Sequence, residues 1–262
     1  MRKIISKKLI SGVLLSLVVF ASLCAVPKAK YRTLDKIKKS GTIKIAVFSD
    51  KKPFGYVDEY GKYQGYDVYF GDRIAKDLGV KVKYVPVEAA ARVEVLQTGK
   101  VDFALPYMKC ALGVVSNEKK DFITDVEQLK GKTLIISKGT TAETFFTNNY
   151  PEVNLLKFDQ YSEAYNALID GRGVGLSTDN TEVLAWAIEN PGFAVGIESL
   201  GSLDTIAPAV SKGNESLLNW INEEIKSLAA ENFFHADYEA TLRPVYGPNS
   251  DADSLVVEGG QL

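Results

Sequence analysis

Two short segments carry the residues best placed to do chemistry. Thr133 to Glu143, TLIISKGTTAE, reads as an apolar strand (Leu134, Ile135, Ile136), a turn at Gly139, and a helix opened by a Ser/Thr-x-x-Glu capping pair, Thr140 with Glu143. Backbone amides at such a helix start attract anions through unpaired donors and the macrodipole. Further on, GLSTDN places Asp179 where a strand ends and a helix begins, the edge at which ligands collect in open α/β sheets. An anion trap beside a fixed carboxylate suits a zwitterion such as an α-amino acid. Taken singly, each feature has a plainer reading, since a capping pair is first of all a helix start and Asp before a helix is first of all an N-cap.

The elements that must position these residues alternate along the chain. Strands are expected at Thr42 to Phe48, Val80 to Val87, Val101 to Leu105, Lys109 to Val115, Thr133 to Lys138, Asn154 to Asp159, Val174 to Ser177 and Phe193 to Ile197. Helices are expected at Asp67 to Leu78, Ala90 to Thr98, Thr141 to Asn149, Ser162 to Asp170 and Thr181 to Glu189, with a helical turn at Asp125 to Lys130. This is the pattern of βα units on a mostly parallel sheet. A strand at Asp204 to Val210 is followed by helices at Glu215 to Ala230 and around Asp237 to Leu242, so the chain returns to complete its first domain. Gly247 to Leu262 reads as a loop or surface strap.

The start of the chain adds a location. Arg2, Lys3, Lys7 and Lys8 precede the apolar run Leu9 to Leu23, too short to cross a bilayer as a helix of about 20 residues, so residues 1–23 are expected to be a signal peptide. Ala21-Ser22-Leu23-Cys24 resembles a bacterial lipobox, with Cys24 the lipidated residue and Leu23 larger than the usual residue before the cut; a plain secreted protein cleaved near Ala25 or Ala29 is the alternative. Losing the signal removes four of 31 basic residues and none of 33 acidic ones, for a net charge of about −6 and no basic stripe for nucleic acid. Cys110 is then left without a second thiol, which excludes a disulfide framework and makes it a small buried hydrophobe.

KIKKSGTIKIAVFSDKKPFGYVDEYGKYQGYDVYF, LQTGKVD, LPYMK, LKGKTLIISKGTTAE and STDN, in that order, resemble the extracytoplasmic solute-binding proteins of polar amino-acid ABC importers (family 3). DKIKKSG, PFGYVDE, KGTTAE, FFH and VVEGG are most similar to the cysteine-binding branch. The resemblance implies a two-lobed, type II periplasmic-binding fold of the α/β class with two hinge strands. Lobe one would be residues 31–106 and 207–247, lobe two 107–206, and 248–262 a tail. It implies a monomer outside the cytoplasmic membrane, lipid-anchored if Cys24 is modified, that binds a polar amino acid, cysteine foremost, and delivers it to an ABC permease without a cofactor. Carried over by position, Phe54 and Tyr56 would form an aromatic wall. Thr140 and Thr141 would give hydroxyl and amide donors to the ligand carboxylate, and Asp179 would accept from its ammonium. Ordinary loop packing is the plainer reading of Phe54 and Tyr56.

One departure stands out. In the family pattern the strand after GKVD leads to a Thr-x-Thr-x-x-Arg cleft loop whose Arg clamps the carboxylate, before a VDF-like stretch returns to LPYM; here Gly99-Lys100-Val101-Asp102 joins Phe103-Ala104-Leu105-Pro106-Tyr107 directly. A deletion between two Val-Asp repeats would explain this. Affinity should suffer before the fold does, because Val101 to Leu105 can replace the lost strand. Arg92, in the first turn of its helix where a cation opposes the dipole, is a candidate substitute clamp; a solvated Arg near Glu88 or Glu94 is the alternative.

Other chemistry is set aside on spacing. Gly131-Lys132-Thr133 resembles the end of a P-loop, yet its leading glycine would fall at Val126. His235 is the single histidine and follows Phe233-Phe234 at a helix end, which fits packing or a surface role. No Cys, His and carboxylate cluster has metal-ligand spacing, so no metal is expected. Besides a receptor, two functions stay open. One is a dehydratase-type enzyme on the same fold, which would need an acid/base pair in the cleft. The other is a binding-impaired, non-transporting remnant or a sensory module.

Overall fold

The computed structural model describes residues 31–259; the expected signal peptide and Cys24 lie outside the described residues. The first lobe begins with α1 (Leu34–Ser40) and β1 (Thr42–Val47), then a small antiparallel sheet of β2 (Asp50–Lys51), β3 (Gly55–Val57) and β4 (Tyr63–Gln64). Helix α2 (Tyr66–Leu78), strand β5 (Lys81–Pro86), helix α3 (Arg92–Gln97) and strand β6 (Phe103–Ala104) follow. In α2, Tyr66, Phe70, Ile74 and Leu78 recur every four residues and are all buried, the stripe of a helix lying on a sheet. Gly79, at φ 71°, ends it in the left-handed conformation that glycine adopts without strain.

The second lobe holds β7 (Met108–Asn117), β8 (Thr133–Ser137), α4 (Thr141–Asn149), β9 (Asn154–Phe158), α5 (Tyr161–Ile169), β10 (Gly175–Asp179), α6 (Asn180–Glu189) and β11 (Phe193–Ile206). The chain then returns through β12 (Ala209–Val210) and helices α7 (Glu215–Ala230), α8 (Phe233–Thr241) and α9 (Arg243–Tyr246) to the first lobe. Two principal sheets result, in the orders β12-β6-β1-β5 and β11-β7-β10-β8-β9. β1 runs parallel to β5 from Thr42↔Lys81 to Val47↔Pro86, and β8 parallel to β9 from Thr133↔Asn154. The lobes are linked where β6 passes through Leu105–Tyr107 into β7 and where β11 gives way to β12.

The two cores are separate. Ile43, Ile45, Phe70, Phe103, Leu217 and Phe234 lie at the heart of the first, and Val114, Leu134, Ile136 and Phe146 fill one face of the second sheet. Val101 to Leu105 supplies only the short β6, parallel to β1 at Ile45↔Phe103 and Ala46↔Ala104.

Two expectations are corrected. The segments 193–197 and 204–210 are not two strands: 193–206 is one strand against β7 with three register shifts, because bulges carry it past Gly196 and Gly201 and break the alternation. The tail is not merely superficial either. Ala252, Leu255, Val256 and Val257 are buried in the first core, and the Lys109 amide donates to the Leu255 carbonyl at 2.8 Å. Among the described residues no helix is long and apolar enough to cross a membrane.

Candidate functional site

A cavity of about 660 Å³ lies between the lobes, lined by Phe48 and Arg92 from the first and by Thr140, Thr141, Tyr161 and Asp179 from the second. Each of these sits at the end of an element. Phe48 directly follows β1, Arg92 opens α3, Thr140 caps and Thr141 opens α4, Tyr161 opens α5 and Asp179 ends β10. The C-terminal edges of two sheets therefore face each other across the cleft, as the topology of open α/β sheets dictates.

At the start of α4 the capping pair is formed with a shift. Thr140 Oγ1 accepts from the Glu143 amide at 3.3 Å and donates to the Ser137 carbonyl at 2.7 Å, while Glu143 Oε2 accepts from the amide of Gly139, at 2.7 Å. The Thr140 hydroxyl is thus spent within the turn, which corrects its expected part as a hydroxyl donor to ligand. What α4 offers the cavity is its positive end, where the Thr141 and Ala142 amides have no intrahelical carbonyl, together with the exposed Thr141 side chain.

Arg92 is half-buried and lies over the Phe48 ring, 5.3 Å from guanidinium carbon to centroid. It forms no salt bridge among the described residues, so Glu88 and Glu94 are not its partners. Its charge faces the cavity, available to a carboxylate.

Asp179 is not a bare carboxylate. Its Oδ2 lies 2.7 Å from Lys51 Nζ, which also reaches Glu182 Oε2 at 3.3 Å. Burial disfavours the Lys51 ammonium, but Asp179, Tyr161 and Glu182 outweigh that and raise its pKa well above the ordinary value. Burial pushes Glu182 up to about 7 against the pull of Lys51. Asp67 is likewise raised to about 7 by burial, opposed by Lys51 and Arg92. Cys110 also lines the cavity; burial and Asp179 push its thiol up to about 12, which keeps it protonated and a poor nucleophile.

Phe54 and Tyr56 are placed elsewhere. Phe54 is 1% exposed within the first core, and Tyr56 lines a separate depression with Lys52 Nζ 5.3 Å from its ring centre. The aromatic wall of the cavity is instead Phe48 and Tyr161, edge to face with centroids 5.3 Å apart. Phe48 was findable, as the last apolar residue of a strand whose C-terminal end faces ligand; Phe54 follows a turn, and its apolar side turns inward. Lys51 gave no signal, since nothing local marks a lysine that will be buried. Among the described residues no group of three or more His, Cys, Asp or Glu is placed to hold a metal.

The family model of the bacterial extracellular solute-binding proteins, family 3, matches residues 43–240, most of the chain and both walls of the cleft. The chain belongs to this family. Among solved structures, this family 3 protein is similar to the solute receptor for L-cysteine of Neisseria gonorrhoeae: 50% identity, 87% of this chain and 100% of that one covered, TM-score 0.84. It is similar as well to the cysteine-binding protein of Campylobacter jejuni, at 48% identity over 86% of this chain and 99% of that one, TM-score 0.83. A glutamine-binding protein of an ABC transporter from Bacillus subtilis (strain 168) is 28% identical over 93% of this chain and 98% of its own length. Type II periplasmic binding proteins, with two α/β lobes around a cleft, are the fold this family 3 chain shares.

Proposed function

We propose that this protein binds a polar amino acid, cysteine foremost, outside the cytoplasmic membrane and delivers it as a monomer to an ABC permease. One observation carries the reading: a single cleft holds an arginine with no salt bridge among the described residues, a helix start and the carboxylate of Asp179. The carboxylate of a zwitterion would meet Arg92 and the α4 amides, and its ammonium Asp179, while Phe48 and Tyr161 cover its carbon skeleton. The two cysteine-binding neighbours favour cysteine over the larger glutamine. An enzymatic reading is weaker, because of the two carboxylates that line the cavity Asp179 is paired with Lys51 and Asp204 accepts from the Thr205 amide, while the single histidine is bound to the tail. Lipidation at Cys24 would hold the receptor at the membrane surface.

The direct passage of β6 through Leu105–Tyr107 into β7 supports a second reading, a receptor impaired by loss of its Arg-bearing loop. Calorimetry with twenty amino acids, run beside a form with a Thr-x-Thr-x-x-Arg loop inserted after Asp102, separates the two. Cysteine binding by the natural chain, strengthened about tenfold to a hundredfold in the restored form, is the expected result. Binding by the restored form alone marks a remnant, equal binding shows that the loop is dispensable, and no binding by either removes the amino-acid reading.

A further inference from the structure

Asp50 and Lys51 belong to the small sheet of lobe one, yet both side chains end on lobe two. Asp50 Oδ2 accepts from the Ser162 amide and hydroxyl, each at 3.1 Å, at the start of α5. Lys51 passes further in and is 4% exposed. Its Nζ meets Asp179 and Glu182 and lies 4.8 Å from the ring centre of Tyr161, all three on lobe two. Phe48 and Phe54 of its own lobe cover the same ammonium at 5.3 and 5.9 Å.

A buried charge is tolerated when it is paired, and here the partners sit on opposite sides of a cleft. Parting the lobes would strip the cation from Lys51's two carboxylates, leaving Asp179 and Glu182 close together at the β10–α6 junction without it. Neither neighbour replaces that cation: Asp67 is itself an acid, and Arg92 lies over Phe48. A carboxylate has about four acceptor positions, so Lys51 on Oδ2 leaves Asp179 room for another donor from the cavity.

We propose that Lys51 is a positioning residue of the ligand site, crossing the cleft to hold the Asp179 carboxylate ready for a ligand ammonium and so tying capture to closure of the lobes. This rests on the amino-acid reading above, and it adds a role for a residue that does not itself grip the ligand carboxylate.

The test uses the full mature chain with Lys51→Met, which keeps the stem and drops the charge, and Lys51→Arg, which keeps a cation able to reach two carboxylates. Affinity is read by calorimetry with the twenty amino acids, and lobe separation by small-angle X-ray scattering without ligand. The expected result is at least a tenfold loss of affinity and a larger radius of gyration for the methionine variant, with partial recovery of both by arginine. A methionine variant equal to the parent in both readouts overturns the proposal, as does one with a lower melting temperature alone. If Lys51→Met does not fold, the double variant with Glu182→Gln, which removes a carboxylate along with the cation, gives the same readouts. If the parent binds no amino acid, the ligand reading fails by itself; the positioning role then falls with it, and the scattering comparison still shows whether Lys51 holds the lobes together.

Discussion

Arg92 lies over Phe48, its guanidinium carbon 5.3 Å from the ring centre, a cation–ring contact on the cavity wall by a guanidinium that forms no salt bridge among the described residues. A fork of donors held in one plane suits a ligand carboxylate. Replacing Arg92 with alanine should weaken amino-acid binding about tenfold to a hundredfold, the range for a hydrogen bond to a charged group. Arg92→Lys should recover little, because an ammonium lacks the bidentate geometry. Calorimetry decides, and unchanged affinity in the alanine variant would return Arg92 to the role of a solvated surface charge.

How much of this was legible differs element by element. Helix α4 has the expected bounds, Thr141–Asn149, because Gly139, Thr140 and Glu143 mark its start locally. Helix α7 does too, through Leu217, Ile221, Ile225 and Leu228 on one face. β11 misleads because its bulges and exposed polar residues hide a single strand paired throughout with β7. The small sheet β2–β3–β4 has strands of two or three residues, too short to show a period. In the site, strand ends and helix starts pointed to Thr141 and Asp179, whereas the choice between Phe48 and Phe54 and the burial of Lys51 depend on which lobe faces which.

Asp67 should make stability fall as pH rises. Its folded pKa, raised to about 7 by burial, lies above the ordinary carboxylate value, so the unfolded chain releases this proton first. The contribution is fully present below about pH 4 and is lost as pH climbs through about 7. Asp67→Asn, a neutral near-isostere, should match the parent at pH 4 and exceed it at pH 8 by a few kcal/mol, because each tenfold change in proton affinity between the folded and unfolded chain is worth about 1.4 kcal/mol. Urea unfolding at the two pH values checks this; a gap that ignores pH would contradict it.

His235 ties the tail to α8. Its Nδ1 lies 2.8 Å from Glu258 Oε1 and its Nε2 3.0 Å from Asp253 Oδ1, and the Glu258 hydrogen bond, with Asp253, raises its pKa despite partial burial. Raised in the folded state, it contributes stability that is whole below about pH 6.5 and fades as pH rises through the folded value. Because the ring is part-exposed, the effect should stay below about 1 kcal/mol. His235→Gln should flatten that decline in thermal unfolding curves between pH 5.5 and 8.5, and speed amide exchange around Leu255 to Val257.

Gly139 is where closure can be tested without touching a charge. It has φ 70°, and a Cβ there would lie 2.5 Å from the Cα of Ala90 on the opposite lobe. Alanine at this position meets two costs, roughly 1–2 kcal/mol for a left-handed backbone and a collision that arises when the lobes meet. Gly131 separates them, since it has φ 71° on the same lobe with nothing within 4 Å of its Cβ direction. Gly131→Ala should lower the melting temperature and leave amino-acid affinity intact. Gly139→Ala should lower the melting temperature by a similar amount, weaken binding at least tenfold, and enlarge the radius of gyration of the free protein. Equal affinity in the two variants would mean that the Ala90 turn yields easily and that contact between Gly139 and Ala90 does not govern closure.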